Sequence, residues 1–136
     1  MDIIPHSLAG LPAFALYFGS SVVLLLVFIS IYIQITPYRE LALIREGNAA
    51  AAASLSGATL GFAIPLAHSV AQSVNLADMA VWGLIALVVQ LVVFFVVTRL
   101  MPGLSRDIPA GKVAPGVFLG SLSLATGILN AACMTY

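Results

Sequence analysis

Charge is what this chain has least of. Five Lys or Arg and five Asp or Glu are spread over 136 residues, a charged fraction of 7%, where soluble domains carry about 25%. So few ionic groups cannot keep a soluble exterior hydrated, which excludes a water-soluble fold. Net charge is zero and no basic tract occurs, so nothing suits the phosphates of a nucleic acid, and no nucleic-acid partner is expected. The single Cys133 excludes an internal disulfide. Residues 1–11 contain no Lys or Arg. They lack the basic segment of a secretory signal, so the first apolar run reads as a retained span. Also missing are a buried carboxylate pair, a Cys/His metal cluster and a phosphate-cradling loop. The expectation is a chain that is not an enzyme and carries no cofactor or metal.

What is present is apolar length. Four stretches, near residues 12–35, 49–73, 79–98 and 113–134, contain no Asp, Glu, Lys or Arg. At about 1.5 Å rise per residue, roughly 20 apolar residues cross a hydrocarbon core about 30 Å thick. The chain is therefore expected to be an all-α integral membrane protein with four transmembrane helices in the lipid bilayer. Arg39 and Arg45 fall in the first loop, and Arg99, Arg106 and Lys112 flank the third. All five basic residues thus lie on one side, which the positive-inside rule makes cytoplasmic. Both termini, with Asp2 and His6 in the first, and the turn near Asp78 then face the outer, periplasmic side. Phe14, Tyr17, Phe18, Trp82 and Tyr136 serve as interfacial anchors there.

The spans also look duplicated. A shift of 64 pairs Ile44 with Ile108, Gly47 with Gly111, Ala50 with Ala114, Leu55 with Leu119, Ile64 with Ile128 and Ala67 with Ala131. A shift of 65 pairs Pro37 with Pro102 and Tyr17 with Trp82. The expected organisation is two helical hairpins, residues 1–73 and 74–136, forming a parallel repeat about an axis along the membrane normal.

Helix character differs within each hairpin. The first and third spans are rich in Val, Leu and Phe, which suits lipid, whereas the second is built from Ala, Ser and Gly. Two GxxxG spacings, Gly57–Gly61 and Gly116–Gly120, offer flat faces for close helix approach. They are out of register in the repeat alignment, so separate contacts are expected. Packing of the second helix on the fourth and a homo-oligomer interface both remain open.

Polar residues within the spans are the other candidates. Asn130 and Gln90 need partners in lipid, either through interhelical hydrogen bonds or along a polar path. His68 falls near the outer interface, where a carbonyl, water or headgroup satisfies it, or where it senses protons. Pro65 should kink the second helix. Asn48 stands at that helix's start, as a cap or beside an anion. Ser54-Leu-Ser56-Gly57 superficially resembles the serine segment of intramembrane proteases, but it lacks the leading Gly and the number of spans.

Thr36-Pro-Tyr-Arg-Glu40, the Ile44-Arg-Glu-Gly-Asn48 segment, the Ala-rich second span and Gly127-Ile-Leu-Asn130-Ala-Ala together resemble the YjfL-type bacterial inner-membrane proteins, a family catalogued as domain of unknown function 350 and of the UPF0719 type. The similarity covers essentially the whole chain. It implies a multi-pass protein of the bacterial cytoplasmic membrane, built of paired-helix repeats and with no established activity. It further implies association with envelope-stress proteins of the PspA type and with enzymes resembling glutathionylspermidine synthase.

Two functions follow as expectations. One is a small membrane scaffold whose charged loops (Arg39/Glu40/Arg45/Glu46 and Arg106/Asp107/Lys112) recruit a cytoplasmic partner through Arg39, Arg45, Arg106 and Lys112. The other is an oligomeric channel or transporter for a small ion or polyamine. The absence of any visible ion-coupling residue favours the scaffold.

Overall fold

The structure, a computed structural model, describes residues 3–134; the expectations for Asp2 and Tyr136 lie outside them. Among the described residues seven helices follow in order: α1 (Ile3–Leu8), α2 (Leu11–Ile35), α3 (Glu40–Arg45), α4 (Ala49–Gln72), α5 (Leu76–Leu100), α6 (Leu104–Asp107) and α7 (Val113–Cys133). Among the described residues there is no strand. Four helical segments are long and apolar enough to span a bilayer: Ile3–Ile35, Ala49–Gln72, Leu76–Leu100 and Val113–Cys133.

Local chemistry fixes the ends. The third span begins three residues earlier than hydropathy alone suggested because Asn75 caps it. Its side chain accepts from Asp78 N (2.8 Å), while Asp78 Oδ2 accepts from Val74 N (3.3 Å). Asp78 therefore belongs to the first turn of α5 and not to the loop. At the far end of α2, Thr36 turns extended ahead of Pro37, as the residue before a proline prefers.

The short helices α3 and α6, which hydropathy did not reveal, lead into α4 and α7 by the same route. Glu46 N bonds Ala42 O, Gly47 N bonds Ile44 O and Asn48 N bonds Leu43 O; Ala110 N, Gly111 N and Lys112 N bond Arg106 O, Ile108 O and Asp107 O in turn. Each set is the other displaced by 64 residues. Gly47 (φ 87°) and Gly111 (φ 83°) supply the left-handed residue that each turn requires.

The heart of the bundle is α4 against α7, with the two helices running parallel. Ala50 faces Gly116, Ala53 and Gly57 face Gly120, and Gly61 faces both Ser123 and Gly127. A Cβ added at Gly57, Gly61, Gly116, Gly120 or Gly127 would run into backbone of the opposite helix. The two GxxxG pairs thus form one seam, correcting the expectation of separate contacts. The offset that put them out of register in the repeat alignment is what lets each backbone settle against the other. Such proximity replaces the hydrophobic drive that lipid removes. Sequence separation predicts none of this, because the partners meet across an intervening span.

Around the seam, α5 packs on both helices and α2 on α4 and α5. One half of α2 docks tightly: Phe28 stacks on Phe62 (centroids 4.7 Å), and Tyr32 meets Phe94 edge-on (5.2 Å). Its other half stands away from the bundle, leaving apolar grooves of about 800 Å³ toward α5 and about 340 Å³ toward α4.

Candidate functional site

Because the segment between α3 and α4 is bonded to the segment between α6 and α7, the loop residues share one end of the bundle, the basic end. Asn48 joins the two loops. Its Oδ1 accepts from Ala51 N (2.9 Å), capping α4, and its Nδ2 donates to the carbonyls of Ile108 (2.9 Å) and Pro109 (3.3 Å). Arg39, Arg45, Arg99, Arg106 and Lys112 are all exposed there; Lys112 Nζ lies 3.5 Å from Asp107 Oδ1.

Glu40 departs from what the sequence suggested. Grouped with the exposed loop charges, it is instead fully buried, at 0% exposure. The short α3 turns its first residue inward against the bundle. Among the described residues neither carboxylate oxygen has a hydrogen-bond partner, and neither do the buried hydroxyls of Tyr32 and Tyr38. The three side chains lie within electrostatic reach of one another, with the Ser54 hydroxyl, which donates to Ala51 O (3.1 Å), beside Tyr38. The Phe28, Tyr32, Phe62 and Phe94 rings form an apolar layer beside the cluster. Burial pushes the Glu40 carboxyl up to about 8. Burial, followed by the Glu40 charge, raises the Tyr38 phenol well above its ordinary range, and Ser54 pulls the other way. Tyr38 also lines a cleft of about 440 Å³ opening at the basic end, bounded by Pro37, Phe94, Thr98, Met101 and Ser105.

Deeper in the bundle, Gln90 of α5 closes the core. Pro65 has no N–H, so the Gly61 carbonyl loses its helical donor. Gln90 Nε2 supplies one at 2.9 Å and also reaches Ser123 O at 3.1 Å, tying α5 to both helices of the seam. Its Oε1 is buried without a partner among the described residues. At the opposite end His68 Nε2 pairs with Met134 O (3.2 Å), and Ser69 donates to Met79 O (2.9 Å). Asn130 departs from the expectation of an interhelical hydrogen bond: it is partly buried on α7, and its Nδ2 finds no partner among the described residues. The structure thus joins Asn48, Gln90 and His68 to neighbouring elements and leaves Asn130 apart from them. Among the described residues no three His, Cys, Asp or Glu side chains group as metal ligands.

Sequence reasoning passed over the Glu40 cluster because the acid lies five residues past an apolar span and reads as a loop charge. One signal was available: the shift of 64 sets Glu40 opposite Leu104, an apolar residue.

Comparison with known proteins agrees with this architecture. The chain is 45% identical over 131 residues to the UPF0719 inner membrane protein YjfL of Escherichia coli K12, covering 96% of this chain and 99% of that protein. The same figures hold for YjfL of the O157:H7 strain. The UPF0719 transmembrane protein YshE of Bacillus subtilis is 31% identical over 93 residues, 68% of this chain and 69% of its own. No solved structure matches. A family model, Domain of Unknown Function (DUF350), matches residues 6–134. With its four apolar spanning helices and near full-length similarity, the chain belongs to the DUF350 family of multi-pass inner-membrane proteins.

Proposed function

We propose that this protein is a small membrane scaffold whose basic end faces the cytoplasm and recruits an acidic peripheral partner. The observation carrying this reading is the joining of two loops, 60 residues apart, by Asn48 into one surface. Five basic side chains face outward there against two acids, Glu46 and Asp107, because Glu40 is withdrawn into the core. The surface is therefore more positive than the alternating Arg39/Glu40/Arg45/Glu46 sequence suggests. Such a surface steers acidic partners and also holds anionic headgroups, each nearby Lys or Arg contributing about 1 kcal/mol. A PspA-type envelope-stress protein, which the family resemblance implies, is the first partner to try.

The test is co-purification from membranes with Arg45→Gln/Lys112→Gln and with the charge-reversed pair. Loss of the partner from both supports the scaffold; retention in both refutes it. Thiol labelling of Cys133 checks that neither variant has inverted.

A second reading, an oligomeric channel or transporter for a small ion or polyamine, draws support from the buried Glu40 and the unpartnered Asn130 Nδ2. The seam between α4 and α7 leaves no room for a pore inside one chain, so a path would require several copies. Flux into liposomes that Asn130→Leu abolishes would favour this reading.

A further inference from the structure

We propose that Glu40, Tyr32, Tyr38 and Ser54 form a binding site for a hard monovalent cation, Na⁺ or K⁺, at the basic end of the bundle. The site is independent of the scaffold reading.

Three observations converge on it. First, the carboxylate and two phenol oxygens are buried and have no hydrogen-bond partner among the described residues. Buried polar atoms are nearly always satisfied, and a group of them left open in one place calls for a ligand. Second, nothing among the described residues neutralises the acid. From α2 it faces Tyr32, from the following loop Tyr38, and from α4 the neutral Ser54 beside Tyr38. No Lys or Arg acts on it, and Arg39, its neighbour in sequence, is exposed.

Third, the fold does not need an acid here. The backbone path that carries Glu40 recurs 64 residues later: Leu43 N bonds Arg39 O (3.0 Å) as Asp107 N bonds Gly103 O (2.8 Å). At the position equivalent to Glu40 that second path holds Leu104, 3% exposed. A leucine fills the place in one half, so the carboxylate in the other answers a different requirement.

The donor chemistry selects the ion. One carboxylate neutralises a single positive charge, and the remaining donors are neutral hydroxyl oxygens. Divalent ions draw on more carboxylates, and soft metals on sulfur or imidazole. Of the four residues, Tyr38 also lines the cleft of about 440 Å³. A proton competes for the same carboxylate, so the cation binds only as the acid ionises.

The experiment follows thermal unfolding of the purified chain in nanodiscs at about pH 9 and again at about pH 6, conditions that bracket the acid's titration. NaCl, KCl or N-methyl-D-glucamine chloride is supplied at equal ionic strength. At the higher pH, Na⁺ or K⁺ should raise Tm saturably, on the order of 5 °C near saturation, with little effect at the lower pH. Glu40→Gln should fold without any alkali cation and lose the response, and Tyr38→Phe should weaken the apparent affinity several-fold. Direct binding of radiolabelled Na⁺ or the K⁺ analogue Rb⁺ should reach one ion per chain and vanish in Glu40→Gln. A pH-dependent Tm indifferent to alkali cations would mean that the carboxyl takes a proton only, overturning the proposal. A response to Mg²⁺ or Ca²⁺ instead, or one that survives in Glu40→Gln, would overturn it equally.

Discussion

Gln90 and Pro65 are expected to be energetically coupled although they stand on different helices. Proline at position 65 strips the Gly61 carbonyl of its helical donor, and the Gln90 amide replaces it while also holding Ser123 O. Replacing Gln90 with Met removes both bonds and keeps an unbranched side chain of similar length. Hydrogen bonds between membrane helices contribute about 0.6 kcal/mol on average and up to about 1.7. A buried carbonyl left without a donor costs about 1–3 kcal/mol more. Gln90→Met should therefore destabilise the protein by about 2–4 kcal/mol. In a Pro65→Ala background the new peptide N–H can bond Gly61 O, so the same substitution should cost only about 1 kcal/mol. The coupling energy, about 1–3 kcal/mol, is measured as a double-mutant cycle by SDS-driven unfolding in mixed micelles, followed through Trp82, the one tryptophan. Equal losses from Gln90→Met in both backgrounds would refute the reasoning.

Other consequences follow from the same geometry. Gly57→Val or Gly120→Val should force α4 from α7 and destabilise by at least the 1–3 kcal/mol of ordinary overpacking, roughly, whereas Gly19→Val, with open space around it, should leave unfolding unchanged. Asn48→Ala removes a cap and two carbonyl contacts and should cost about 1–2 kcal/mol in the same assay. Without alkali cations, stability should depend on pH through Glu40, whose carboxyl titrates at about 8 in the fold against an ordinary value of 4.5. The folded chain holds the extra proton between those values, so this contribution is complete at acid pH and is lost as pH rises toward and through 8; a flat profile in wild type, or an unchanged slope in Glu40→Gln, would contradict it. Cys133, free and exposed, should react with a membrane-impermeant maleimide added outside spheroplasts, while a cysteine placed at Lys112 should not; the reverse pattern would invert the proposed orientation.

The amino-acid sequence determined the environment and the number of spans. Apolar length and scarce charge leave a chain no alternative to the bilayer, and in lipid only internal hydrogen bonding satisfies the backbone, so helices follow. It also carried the start of α4, because the cap at Asn48 and the glycine before it act within a few residues. Gly57, Gly61, Gly116 and Gly120 were legible as packing residues but not as one seam, since a small-residue face is a capacity to pack and names no partner. Gln90 was legible as needing a partner; that its partner is the carbonyl freed by Pro65 depends on where α5 crosses α4. Glu40 lay furthest from view. Whether an acid just beyond a span meets water or the core is decided by the direction in which six residues of α3 fold back. That direction is set by contacts with α4, which exist only once the bundle has assembled.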